Sequence, residues 1–345
     1  MRKEILAKAL SGNPLAYDEA LDAGRDLAEG RPDAVSTAAF LAALAARGER
    51  ADELAGLAAA FREAGAPFPA HPEALDTCGT GGDGHRTFNL STAAALLVAS
   101  LGVPVAKHGN RSVSSACGSA DLLERAGFPI EEAPEAAARR LDERGFAFLF
   151  APRYHPAMAH VAPVRKALGL RTVFNLLGPL LNPAGVRRQV VGVYAPDRME
   201  LMATALARLG AERAAVVHGA GGYDEVVLHG PVLAIEVRDG ATQTHVLNAE
   251  SFGLPQGRPE DLSGGSPEAN VRMLHLVLEG RGPRPLASAV AANAALALRT
   301  AGACEDLRDG ASAAMEALRR GRAGAYLRTL LAPDTNEEAL REHVS

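Results

Sequence analysis

Two polar, glycine-studded loops lie between Leu75 and Glu124, each flanked by an apolar strand-like run and a helical stretch. The first contains Gly79-Thr-Gly-Gly-Asp-Gly84 and then Thr87-Phe-Asn-Leu-Ser-Thr92. The second begins Lys107-His-Gly-Asn-Arg-Ser-Val-Ser-Ser115 and continues to Gly118, Ser119 and Asp121. Glycine frees backbone amides for close approach, hydroxyls sit where a helix begins, and fixed cations attract an anion. This is the chemistry a phosphorylated ligand needs. Two such loops, one helix and one strand apart, point to phosphate at more than one place on the ligand.

Gly79 to Gly84 also satisfies G-x-G-x-x-G, a weak match by itself. In a dinucleotide fold the helix opens inside the glycine motif, whereas here it begins near Ser91. The following strand should also end in an acid for the ribose, but it leads into Lys107. No Gly-Lys-Ser/Thr follows, so this is not a P-loop either. A plain glycine turn leaves Asp83, Thr87, Asn89, Ser91 and Thr92 unexplained, and capping accounts for Ser91 or Thr92 alone.

The elements that must position these loops are legible in outline. Before Leu75 lie amphipathic stretches at Ala16–Ala28, Ala34–Ala46 and Ala51–Ala64, a small helical block followed by a linker over residues 65–72. Beyond Leu75, apolar runs at Val103–Ala106, Phe146–Phe150, Val190–Tyr194, Ala214–Val217 and Val232–Val237 alternate with helical stretches. Such alternation predicts a mainly parallel sheet with helices on both faces and ligands at its carboxyl ends. Residues 156–188 break the pattern and are expected to return to the helical block. The expected division is a helical domain over 1–70, joined by part of 156–188, and an α/β domain over 75–345.

At 345 residues the chain is long enough for two lobes with real cores. Lys plus Arg total 36 against 41 Asp plus Glu, and there is no basic tract, which disfavours a nucleic-acid surface. No apolar run reaches the ~18 residues of a membrane span. Cys78, Cys117 and Cys304 are too few and scattered for a disulfide framework or zinc site, and small buried thiols account for them. His155 and His160 miss the i, i+4 step of a helical metal pair. The sparse cysteines fit a reducing, cytoplasmic setting.

Taken together, the two loops resemble those of the anthranilate phosphoribosyltransferase family. The resemblance extends through Phe150-Ala-Pro-Arg-Tyr-His-Pro-Ala-Met158, through residues 163–183 with Arg165, and through Val217-His-Gly-Ala-Gly-Gly-Tyr-Asp-Glu225. It covers nearly the whole chain in order. It implies an α/β fold of the nucleoside phosphorylase/phosphoribosyltransferase type: a small helical domain plus a large α/β domain, commonly homodimeric through the helices. It further implies transfer of phosphoribosyl from phosphoribosyl pyrophosphate (PRPP) to anthranilate in tryptophan biosynthesis.

Carried over residue by residue, Gly79, Gly82, Asp83, Thr87, Asn89, Leu90, Ser91 and Thr92 would hold PRPP. Lys107, His108, Gly109, Asn110, Arg111, Ser112, Val113, Ser114, Ser115 and Ser119 would complete that site. Ser91, Asp224 and Glu225 would bind magnesium (Mg2+), with two ions expected per site. A lone acidic pair is ordinarily an exposed turn; after Gly219-Ala-Gly-Gly222 and an apolar strand, the ligand reading becomes better. Gly79, Asn110 and Arg165 would surround anthranilate, with His108, Tyr154 and His155 nearby. Arg165 matters most because its planar fork matches a carboxylate. No general base is assigned.

Departures from the family pattern are few: Asn13-Pro-Leu-Ala-Tyr17, Gly127-Phe-Pro-Ile130, and Tyr223 where an aliphatic residue is common. Two alternatives stay open. A pyrimidine nucleoside phosphorylase shares the fold but should lack the Lys107–Arg111 run and Arg165. A non-catalytic nucleic-acid-binding relative should show a basic groove and damaged ligands.

Overall fold

The computed structural model describes residues 1–112 and 117–332. Four helices open the chain: α1 (Lys3–Leu10), α2 (Tyr17–Ala28), α3 (Ala34–Arg47) and α4 (Ala51–Glu63). Their starts are chemically marked. The Asp33 side chain accepts from the Ser36 amide at 2.7 Å, and Glu53 accepts from the Arg50 amide at 2.9 Å. Glu53 is wholly buried and also accepts from the Leu15 amide and the Arg47 guanidinium, so one carboxylate ties three chain segments together. Helix α1 was not anticipated: only Ile5 and Ala9 face inward, too few for a periodic signal.

Seven strands follow: β1 (Leu75–Gly79), β2 (Val105–Gly109), β3 (Phe146–Phe150), β4 (Arg188–Gly192), β5 (Arg213–Gly219), β6 (Val232–Arg238) and β7 (Ala241–Leu247). They form one sheet in the order β3-β2-β1-β4-β5-β6-β7. Pairing is parallel from β3 to β5 and antiparallel through β6 and β7. Chain order reverses beside β1, whose neighbours are β2 and β4, and such a switch point opens a crevice at the strands' carboxyl ends. Both polar loops and the Gly219–Glu225 turn issue from that end.

The second strand corrects one expectation. The apolar run ends at Ala106, but β2 continues through Lys107, His108 and Gly109, each paired with β3. A lysine ends an apolar pattern without ending a ladder, because its long stem reaches past the strand to place the charge elsewhere. Strand β7 was missed for the opposite reason. At the sheet edge most of its side chains face solvent, so Ala-Thr-Gln-Thr-His carries no apolar alternation.

The connecting helices are α5 (Leu90–Ser100), α6 (Ser119–Arg125), α7 (Pro134–Arg144), α8 (Ala151–Tyr154), α9 (Met158–Leu168), α10 (Phe174–Leu177), α11 (Met199–Arg208), α12 (Pro267–Leu278), α13 (Arg284–Thr300), α14 (Leu307–Arg319) and α15 (Arg322–Leu331). Alternate strand residues feed separate cores, as period-2 geometry requires. Val190, Ala215 and Val217 pack with α5 and α12–α15, whereas Val191, Ala214 and Val216 pack with α11 and the N-terminal helices. Helix α5 is buried over ten of its eleven residues, so its N-terminus is held rigidly under the crevice. Helix α9 packs on α2 and α3, and α10 on α4. No described helix is long and apolar enough to cross a membrane.

Candidate active site

The recess at the carboxyl ends of β1, β4 and β5 is lined by Thr77, Cys78, Ser91, Gly192, Asp224 and Glu225, among others. Residues more than a hundred positions apart are linked directly. The Gly81 amide donates to Asp224 Oδ2 at 2.9 Å, and the Ser91 amide at the start of α5 donates to Glu225 Oε1 at 3.2 Å. Two glycines allow this approach. A Cβ at Gly79 would lie 2.5 Å from Asp224 Oδ2, and one at Gly192 would overlap the Asp224 carbonyl.

Lys107 is buried between these groups. Its ammonium donates to the Thr77 carbonyl and lies 3.5 Å from Ser91 Oγ. Behind it Asp76 accepts from the His108 amide, Asn182 and Gln189, and burial raises its pKa against the Lys107 charge. Asp224 and Glu225 are also driven toward the protonated form, first by desolvation, then by repulsion from Asp83 on Asp224 and from Asp224 on Glu225. A buried acid pair held above its ordinary range is a favourable place for an added cation. Cys78 and Cys117 are not poised nucleophiles: burial raises Cys78 well above the usual thiol value and Cys117 to about 11.

The first loop is joined to the second by Asn89, whose amide donates to the Cys117 carbonyl at 2.9 Å and accepts from Asn270. Thr87 pairs with Ser263, Leu90 is core, and Thr92 Oγ1 is buried without a partner among the described residues. In the second loop Ser119 Oγ donates to the Asn110 carbonyl at 3.4 Å, and Asp121 accepts from the Ser112 and Gly118 amides. Gly109 makes room for this fold-back, since a Cβ there would strike Ser119 Oγ. Arg111 forks onto Glu124 at 2.6 and 2.8 Å and lies over Phe150, so its charge is engaged outside the recess. Val113, Ser114 and Ser115 lie outside the described residues.

On the side of the helical block, His108 and His155 meet edge to face with centroids 5.1 Å apart. Burial lowers their pKa values to about 3 and about 4, so both rings are neutral near pH 7. Arg165, on α9, lies with its guanidinium 5.4 Å from the Phe174 ring centroid and has no carboxylate partner among the described residues. Partial burial lowers its pKa. Tyr154 does not join this group; its ring is buried against Phe68 in a separate cluster with Ala137 and Leu141.

The structure adds residues that the motif reading passed over. Arg171 donates to the Gly82 carbonyl and stacks 3.9 Å from the Tyr194 centroid, pinning the first loop from the α9–α10 connection. Arg62 donates to the Leu180 carbonyl at 2.5 Å, and burial pulls its pKa down to about 10. Each sits in an amphipathic or turn segment where a lone arginine is ordinarily solvated, so no local signal marks it.

Comparison with known proteins agrees with this architecture. Residues 3–65 match a family model described as the glycosyl transferase family helical bundle domain, and residues 71–324 match that family's a/b domain. An anthranilate phosphoribosyltransferase of Moorella thermoacetica is 47% identical, over 96% of this chain and 98% of its own length. The anthranilate phosphoribosyltransferase of Thermus thermophilus superposes with a TM-score of 0.90 at 47% identity, covering 95% of this chain and 98% of its own. The Saccharomyces cerevisiae enzyme, solved in complex with PRPP and Mg, gives 0.86 at 27% identity over 95% and 96% of the two chains. A further structure of the yeast enzyme, with 4-fluoroanthranilate, gives 0.84 at 26% identity over the same shares. This chain belongs to the anthranilate phosphoribosyltransferase family.

Proposed function

We propose that the chain transfers the phosphoribosyl group of PRPP to the amine of anthranilate, giving N-(5-phosphoribosyl)anthranilate and pyrophosphate in the route to L-tryptophan. The observation that carries this reading is one recess where a helix N-terminus, a buried lysine and a buried acid pair meet, together with a half-buried Arg165 over Phe174 that has no carboxylate partner among the described residues. An anion with several phosphates fits the first three groups, and an aromatic acid fits the fourth.

In this reading the amides of the first loop and of α5, with Lys107 and the hydroxyls of both loops, hold PRPP. Arg165 takes the anthranilate carboxylate bidentately, and Asn110 and Gly79 lie beside the ring. The neutral His108 and His155 offer a weakly polar wall that does not compete for the carboxylate. The amine forms its bond to the anomeric carbon as the bond to pyrophosphate breaks, and the amine's proton leaves afterwards. Positioning and electrostatics carry such a reaction, so no strong base is required.

Asp224, Glu225 and the Ser91 hydroxyl are hard oxygen donors; the two acids are buried, offset by the Gly81 amide at Asp224 and by Lys107 and the Ser91 amide at Glu225. That set suits Mg2+, which keeps most of its ligands as water and substrate phosphate. Bound Mg2+ would neutralise charge on the departing pyrophosphate, and two ions per site are part of the proposal. A homodimer through the helical domain and a cytoplasmic location complete the proposal.

The test is anthranilate fluorescence followed with PRPP, with and without magnesium. Turnover that requires magnesium, and falls at least tenfold in Asp224→Asn, is expected; no turnover with magnesium present refutes the reading. Phosphorolysis of thymidine without use of anthranilate would instead favour a nucleoside phosphorylase.

A further inference from the structure

Tyr223, the residue preceding the acid pair, is the centre of a three-ring cluster. His85, from the first glycine loop, stacks on it with centroids 3.7 Å apart and planes within 3°. His229 meets it edge to face at 5.0 Å. Each imidazole is also anchored to the turn that carries Tyr223. His85 Nε2 lies 3.0 Å from the Gly221 carbonyl, and His229 Nε2 lies 3.0 Å from the Ala220 carbonyl. A carbonyl only accepts, so both Nε2 atoms carry the proton.

The turn itself is tight. The Gly219 amide donates to the Tyr223 carbonyl at 2.7 Å, and the Tyr223 amide donates back to Gly219. Tyr223 is 7% exposed, so its ring is held by core packing and by the His85 stack. His85 is in turn fixed to the first loop, its amide donating to Asp83 Oδ1 at 3.1 Å. The glycine loop and the acid turn therefore meet through Gly81 on the Asp224 carboxylate and through His85 on Tyr223 and the Gly221 carbonyl.

We infer that the His85–Tyr223 stack is a positioning element: it holds the first glycine loop in register with Asp224 and Glu225, and so sets affinity for magnesium-bound PRPP. Neither ring is assigned a contact with substrate. An aliphatic residue at 223 could fill the core but could not stack on His85, so the device depends on this pair of residues together. The inference rests on the functional reading above, because it concerns the same two loops.

The experiment is calorimetric titration of PRPP with magnesium, without anthranilate, into the full chain and four variants, with melting temperatures recorded alongside. His85→Ala and Tyr223→Leu should each weaken binding roughly three- to tenfold, the range an aromatic pair supplies. Tyr223→Phe keeps the ring and should bind as the parent does. The double variant should bind no more weakly than the poorer single one, since either change removes the same contact. KM for anthranilate and kcat at saturating PRPP should be unchanged. If Tyr223→Leu fails to fold, His85→Ala, whose ring is less buried, carries the test. Binding within twofold of the parent in the single variants, or losses that multiply in the double one, overturns the inference while leaving the functional reading intact. No PRPP binding by the parent protein overturns both.

Discussion

Replacing Arg165 by alanine should separate the proposed recognition of the acceptor from the rest of the site. The guanidinium faces no carboxylate among the described residues, so its loss breaks no ion pair among them. It gives up a contact over Phe174 that contributes about 0.5–2 kcal/mol, offset in part by release of a half-buried charge. The melting temperature should therefore move by no more than about 3 °C. Charge-assisted hydrogen bonding to a carboxylate contributes about 1.5–3 kcal/mol. At about 1.4 kcal/mol per tenfold, KM for anthranilate should rise roughly ten- to a hundredfold. Arg165→Lys keeps the charge but loses the planar fork, and should fall between alanine and the parent. The assay is anthranilate fluorescence at saturating PRPP and magnesium, with KM for PRPP measured as the control. An unchanged anthranilate KM in Arg165→Ala, with the fold intact, would refute the role given to this side chain. An equal rise in both KM values would show that the arginine supports the site generally and recognises neither substrate.

Gly192→Ala should displace the acid turn, because its Cβ overlaps the Asp224 carbonyl. The expected result is a stability loss of about 1–3 kcal/mol and weaker magnesium dependence, read by thermal melting and magnesium titration; wild-type values in both would show that the turn has slack. His155 supplies a pH test. Its folded pKa of about 4 lies below the ordinary histidine value, so the unfolded chain binds more protons between the two, and stability falls as pH falls through that window. The slope is up to about 1.4 kcal/mol per pH unit for each such histidine. His155→Gln should flatten the melting temperature measured from about pH 7 to about pH 4.5, and parallel curves would count against a buried neutral ring.

How far the sequence could be read depended on the range of the signal. The first glycine loop and the Asn89–Thr92 helix start were legible because glycine, hydroxyl and amide chemistry are written locally. The end of β2 was not, because the apolar run stops at Ala106 while the ladder continues to Gly109. Strand β7, mostly solvated at the sheet edge, had no pattern to find. Arg111 carried the charge expected of a phosphate ligand, yet Glu124, thirteen residues on, holds its fork in this structure.

The sequence alone determined the chemical inventory: amides freed by glycine, hydroxyls at a helix start, Lys107, Arg165 and the Asp224-Glu225 pair. Ordered motifs along nearly the whole chain also determined the family resemblance. Tertiary structure decided who meets whom. Gly81 and Asp224 are 143 residues apart, and their contact exists only because β4, paired to β1 at the switch point, brings β5 and the acid turn that follows it alongside. Stacking of His85 on Tyr223 depends on the same adjacency. The physical reason is that burial and pairing are properties of the packed sheet. The same two acids are ordinary in an exposed turn and strongly perturbed when the fold removes their water.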